Sequence, residues 1–159
     1  METVIGADRI LVFVLSGQRY ALQLPIVDSV IRAVEVTPLP EAPAIIMGVI
    51  NVHGRVVPVV NLRRRFRLKE RPVDPDDQFI IATSSTGAVA LPADTAAGVI
   101  KDLEIDRLPS AEILPGINYV EYVLPHDDGM VFVLDVDTVL TDDEEAAIAH
   151  SLEGLDKAE

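Results

Sequence analysis

The chain has 159 residues, 13 basic and 26 acidic, and a formal net charge of −13. With 49% hydrophobic and 25% charged residues it is not a disordered chain, and its length suits one domain or two tightly joined halves. The lack of cysteine excludes disulfides, thiolate metal sites and a cysteine nucleophile, while the acidity and the 4% aromatic content argue against a nucleic-acid platform.

Ile10–Leu15 is an apolar run too short for a signal core or a membrane span, and Glu2 precedes it, so a cytoplasmic location is expected. The run and the alternating segment Arg19–Leu24 predict a hairpin turning at Ser16-Gly17. Pro25 ends the second strand because it cannot donate to a ladder, and a short helical turn is expected over Ile26–Ser29. Thr37–Ala44 is a proline-rich crossover. A second hairpin, Gly48–Val52 and Val56–Val60, turns at His53-Gly54-Arg55, with Pro58 implying an edge or a bulge.

Arg63–Arg71 holds six of the 13 basic residues. It can be read as a nucleic-acid or acidic-lipid patch, or as a solvated loop or short helix facing acidic neighbours or an acidic protein partner. The second reading is preferred, since the acidic remainder of the chain opposes phosphate approach. Arg71–Asp77 is a polar loop. Third and fourth hairpins are expected over Gln78–Thr83 with Ala88–Leu91 and over Val120–Leu124 with Met130–Leu134. Thr141-Asp-Asp-Glu144 is a capping box, opening a C-terminal helix with an apolar stripe at Ile148, Ala149, Leu152 and Leu155.

Ala21–Ile31 and Val89–Ile100 share a pattern of strand, proline, turn and strand, and the Gly54 hairpin resembles the Gly129 hairpin. Two small joined β-barrels explain this repeat. Val27, Val30, Ile31, Val99 and Ile100 flank the two equivalent prolines. They are either core or the lining of a groove that suits an amphipathic partner helix.

No catalytic constellation is visible. Ser16, Ser84 and Ser85 lie at hairpin tips without an identifiable base. His53, His126 and His150 lack ligand spacing, and Asp127, Asp128, Asp135 and Asp137 read as turn chemistry in preference to a cation site. No metal, cofactor or enzymatic activity is expected.

Thr37-Pro-Leu-Pro-Glu-Ala-Pro, Gly48-Val-Ile-Asn-Val-His-Gly and Val57-Pro-Val-Val-Asn-Leu-Arg63 together resemble the CheW family of chemotaxis coupling proteins. The likeness extends from about Asp8 to His150 and implies an all-β fold of two interlocked five-stranded SH3-like barrels with a C-terminal helix. The domain is expected over residues 8–150, with an acidic tail over 151–159. The resemblance also implies a non-catalytic adaptor bridging the cytoplasmic tip of a chemoreceptor to the regulatory domain of a CheA-type histidine kinase. It is expected to be recruited to receptor arrays, with self-association there as a further expectation and no nucleic acid or membrane insertion. Receptor contacts would fall on Val27, Val30, Ile31 and Val99. The hairpin of Asn51, Val52, His53, Gly54, Arg55 and Val57 would serve both partners. Two positions depart from the family pattern: His53 stands where an Arg is usual and Ser29 where a Glu is usual. The alternative reading is a specialised scaffold or competitor that binds only one of the two partners.

Overall fold

The computed structural model describes residues 9–157. Strands β1 (Arg9–Leu15) and β2 (Gln18–Gln23) form the first hairpin, β3 is Val27–Arg32, and β4 (Ile46–Val52) and β5 (Arg55–Val60) form the second. Helix α1 (Leu62–Arg65) precedes the hairpin β6 (Gln78–Ser84) and β7 (Gly87–Ala93), and β8 is Thr95–Lys101. The two-residue strand β9 (Leu108–Pro109), helix α2 (Ser110–Ile113), the hairpin β10 (Val120–His126) and β11 (Gly129–Leu134), and helix α3 (Asp142–Lys157) complete the order.

The strands build two sheets, β8-β1-β2-β11-β10-β9 and β3-β6-β7-β5-β4. The second sheet is contiguous in sequence, whereas the first is assembled from the two flanking segments. The chain changes sheet only twice, once between β2 and β3 and once between β7 and β8. Both changes fall at the prolines of the repeat: Pro25 sits in a 3-10 turn over Leu24–Ile26, and Pro92 lies two residues before the joint at Asp94. Each sheet also contains one parallel pair, β2 with β11 and β5 with β7. The repeat is therefore a real internal symmetry, and the barrels are interlocked by the two crossings.

Three apolar layers follow from the period of two along the strands. One cluster belongs to the first sheet alone, centred on Ile10, Val12, Val131 and Val133. Another belongs to the second alone, centred on Val57, Phe79 and Ile81. The alternate residues, among them Phe13, Leu22, Ile80 and Leu91, form a larger shared core.

Two local expectations are corrected. The helical turn lies at Leu24–Ile26, and Val27 already pairs with Ala82. Pro25, the second residue of the turn, suits a place where an N–H would have no partner within the turn, and the β-branched residues beyond it take up a strand. Pro58 sits on neither an edge nor a bulge, since β5 has neighbours on both sides and the β4–β5 register shift lies between Ile46 and Gly48. It stands opposite Val49, whose N–H and C=O turn outward to Thr37 at 2.8 and 2.9 Å, so no bond to β4 is lost.

The capping box forms as expected. The Thr141 amide donates to Glu144 Oε1 at 2.8 Å, and the Glu144 amide donates to Thr141 Oγ1 at 3.1 Å. Ile148 is buried and Leu152 half-buried against the shared core, while Ala149 is exposed. Helix α3 continues past His150, and the Leu155 side chain and the last two residues lie outside the described structure, as does Asp8.

Candidate functional site: an interaction surface across the two barrels

The hairpin tip is built by its own sequence. His53 and Gly54 both have positive φ, 53° and 84°, the pattern of a two-residue type I′ turn whose twist matches the strands. The Gly54 amide donates to Asn51 Oδ1 at 2.7 Å, which fixes the turn from within. Asn51, His53, Gly54 and Arg55 are exposed, whereas Val52 and Val57 are buried in the core of the second barrel. The valine that reaches solvent is Val56, 47% exposed. Val56–Val60 is apolar throughout, so no alternation with polar residues marks Val57 as inward and Val56 as outward.

Behind the tip, Val56, Pro58 and Val89 face Ile148, Ala149 and Leu152 of α3 across an apolar groove of about 600 Å³. Sequence reasoning did not place the helix beside this hairpin. The stripe on α3 gave half of the signal, and the other half is tertiary.

The expected receptor-side residues separate into two sets. Val27 and Val30 are half-buried on β3 and pack against the shared core. A register shift at Asp28 keeps both on one side of the strand, opposite Ala82 and Ile80. Val99 stands opposite Leu11, another residue of the shared core, and is 47% exposed. These three thus share the inter-sheet side, at the edge strands of the two sheets. Ile31 lies opposite Phe79 and packs into the second barrel's own core, and Ser29, opposite Ile81, is half-buried on that same side. Ile100 packs on the first barrel's core.

The arginine-rich segment meets acidic neighbours. Arg63 pairs with Asp94 and donates to Ser16 Oγ at 2.5 Å; Arg71 reaches Asp77 at 2.8 Å and Asp94 at 2.7 Å. The Ser16 amide also donates to Asp94, at 2.9 Å. These bonds clamp the joint at which the chain returns to the first sheet. Arg65 pairs with Glu144 at the start of α3, and Arg64 with Glu70 at 3.6 Å. Burial works against ionisation of Asp77, but hydrogen bonds from Arg71 and from the Asp74 amide outweigh it and hold the carboxyl below its ordinary range. Four of the six basic residues of this segment, Arg63, Arg64, Arg65 and Arg71, thus face acids, as the preferred reading expects.

The remaining polar residues also have structural roles. Asp137 accepts from the Ser85 amide at 2.7 Å and Asp127 lies 3.7 Å from Arg19. Among the described residues no group of three or more His, Asp or Glu side chains could hold a metal ion. No helix among them is long and apolar enough to cross a membrane. Asp102, fully buried, accepts two bonds from Arg107 at 3.0 Å each and one from the Tyr122 hydroxyl. The Arg107 guanidinium lies 4.1 Å from the centroid of the Tyr122 ring.

The family model for the CheW-like domain matches residues 9–144, almost the whole described chain. The chain belongs to the CheW-like family. Among proteins it is similar to are the chemotaxis protein CheW of Treponema pallidum, 24% identical over 148 residues covering 89% of this chain and 87% of that one. That of Bacillus subtilis is 28% identical over 135 residues, 84% of this chain and 86% of its own. The crystal structure of the scaffolding protein CheW from Thermoanaerobacter tengcongensis superposes with a TM-score of 0.76 at 27% identity, covering 87% of this chain and 95% of that one. The all-β, double-barrel fold of the family is the fold seen here.

Proposed function

We propose that this chain is a non-catalytic chemotaxis scaffold that couples the cytoplasmic tips of chemoreceptors to a CheA-type histidine kinase. The observation that carries the reading is the near end-to-end match, in sequence and in fold, to CheW proteins, one of them described as a scaffolding protein. In this reading Val27, Val30 and Val99 receive the receptor helices at the inter-sheet edge. Asn51, His53, Gly54 and Arg55 present the hairpin tip to receptor and kinase. Val52 and Val57 support that tip from beneath, and Ile31 supports β3 from its other face. Each contact is modest, and several together in an array raise the effective affinity. The expected working place is the cytoplasm, at receptor arrays.

The test is calorimetric titration of the protein with the cognate kinase's regulatory domain, followed in the same cell by a receptor-tip fragment. Saturable binding of both, with the second heat lost in Val99→Asp and the first diminished in Arg55→Glu, supports coupling. Binding of one partner alone supports the specialised scaffold or competitor. A folded sample that binds neither removes the proposal.

A further inference from the structure

Helix α1 ends in an unusual way. The Leu68 amide donates to the Arg63 carbonyl at 2.8 Å, closing the wide turn that ends many helices, and the residue inside that turn, Arg67, has φ of 60°. Glycine is the usual occupant of this position because a Cβ is disfavoured there. Here a long cation occupies it, and among the described residues Arg67 has no ion-pair partner. Arg64, Arg65 and Arg67 line one cavity of about 500 Å³ together with Ile117, Tyr119 and Glu144.

An aromatic column forms one wall. Tyr20 stacks on Phe66 at 4.7 Å between centroids, and Phe66 stacks on Tyr119 at 4.9 Å, so Tyr119 ends the column with half-buried ring surface. Burial raises the Tyr119 pKa, and the nearby charges of Arg65 and Arg67 act in the opposite direction, as groups facing a common space do. The one carboxylate in the lining, Glu144, is committed to the Thr141 amide and to Arg65. Arg65 still keeps a buried Nε–H without an acceptor. Arg67 therefore faces this space without an ion-pair partner among the described residues, beside Arg64, which lies 3.6 Å from Glu70, and Arg65, which is paired with Glu144.

We infer that the cavity between α1 and the Gly116–Tyr119 segment binds a small phosphate-bearing ligand, its phosphate on Arg67, Arg65 and Arg64 and its apolar or aromatic body against Tyr119 and Ile117. The planar fork of Arg suits phosphate oxygens, and a cavity of several hundred Å³ suits a ligand of nucleotide size. The inference is independent of the coupling role. It concerns a face of the molecule used by neither proposed docking surface.

The test titrates the full chain with ATP, pyrophosphate and adenosine, read by calorimetry and by tyrosine fluorescence, which no tryptophan obscures. ATP and pyrophosphate should bind and compete, and adenosine should bind much more weakly. Arg67→Gly suits the positive φ and so preserves the fold; it should weaken both phosphates by about tenfold or more, the worth of one charge-assisted bond. Tyr119→Ala should weaken ATP and leave pyrophosphate unchanged. Failure of both phosphates to bind at millimolar concentration overturns the inference. So does binding that survives intact in Arg67→Gly and Arg64→Ala. An acidic peptide that occupies the cavity where phosphates fail overturns it in favour of a protein contact.

Discussion

Arg55 reaches from the β4–β5 hairpin to Asp28, the extra residue of the β3 bulge, with Nη2 3.3 Å from Oδ2. The pair joins the hairpin tip to the strand that carries Val27 and Val30. Asp28 and Arg55, which neighbour Ser29 and His53 along the chain, thus supply a salt link between these two elements. Both side chains are more than half exposed, 56% and 53%, so Arg55→Ala should change stability by less than about 0.5 kcal/mol. The measured Tm should stay within about 2 °C of the parent. A larger drop would show that the link holds the fold together.

Neighbouring valines should behave oppositely. Val57 has no solvent exposure, and Val57→Ala should cost about 2 kcal/mol in urea unfolding. Val56→Ala should cost under about 0.5 kcal/mol, because its side chain already meets water. Val56→Asp should reduce partner binding without unfolding the protein.

Gly48→Ala should be severe. A Cβ there would stand 2.3 Å from the Thr37 carbonyl oxygen, a backbone atom, and φ is already 151°. The proline-rich crossover must then release its bridge to Val49, at a cost of about 3 kcal/mol or more. Chemical denaturation of the variant checks this, and an unchanged midpoint would refute it.

Asp102→Ala should cost about 3 kcal/mol, because it strands the Tyr122 hydroxyl and the Arg107 guanidinium. Asp102 is buried, so the loss is of a desolvated ion pair and its hydrogen bonds, not of a screened surface contact. Added salt should therefore leave the difference nearly unchanged.

Stability should fall as the solution is acidified. The carboxyls of Asp77 and Glu144 both have folded pKa values below their ordinary ones; in each, burial opposes ionisation and bonds to Arg and to backbone amides prevail. A depressed folded pKa gives stability that is complete above the unfolded value and is lost as pH drops through the folded one. Tm should hold from neutrality down to about pH 5 and decline steadily below about pH 4. Asp77→Asn should flatten part of that decline.

Much of the fold was legible because hairpins are local. The four turns at Ser16-Gly17, His53-Gly54, Ser85-Thr86 and Asp127-Asp128 lie where alternation stops and turn residues begin. The repeat was visible because Pro25 and Pro92 mark equivalent places in the chain. What could not be read was facing. A single extra residue at Asp28 puts Val27 and Val30 on one side and Ile31 on the other, and no residue type announces a bulge. The motif places Val52 and Val57 with the hairpin tip because it is contiguous in sequence, while in the fold the two valines are buried and the four residues between them are exposed. The groove beside Val56 needed α3, over 80 residues further along the chain, and the cavity at Arg67 needed the Gly116–Tyr119 segment.

The path of the chain through its two sheets has a consequence for synthesis. The second barrel is complete in sequence by Ala93, so it can close as soon as that residue has left the ribosome. Strands β1 and β2 are made first and completed last. They wait for β8 on one flank and for β11 on the other, and β11 ends at Leu134. The barrel finished early is thus the one whose strands lie between those of the other, and the β1–β2 hairpin keeps an open edge on each side until β8 and β11 have been made, sheltered by the core it shares with its younger partner.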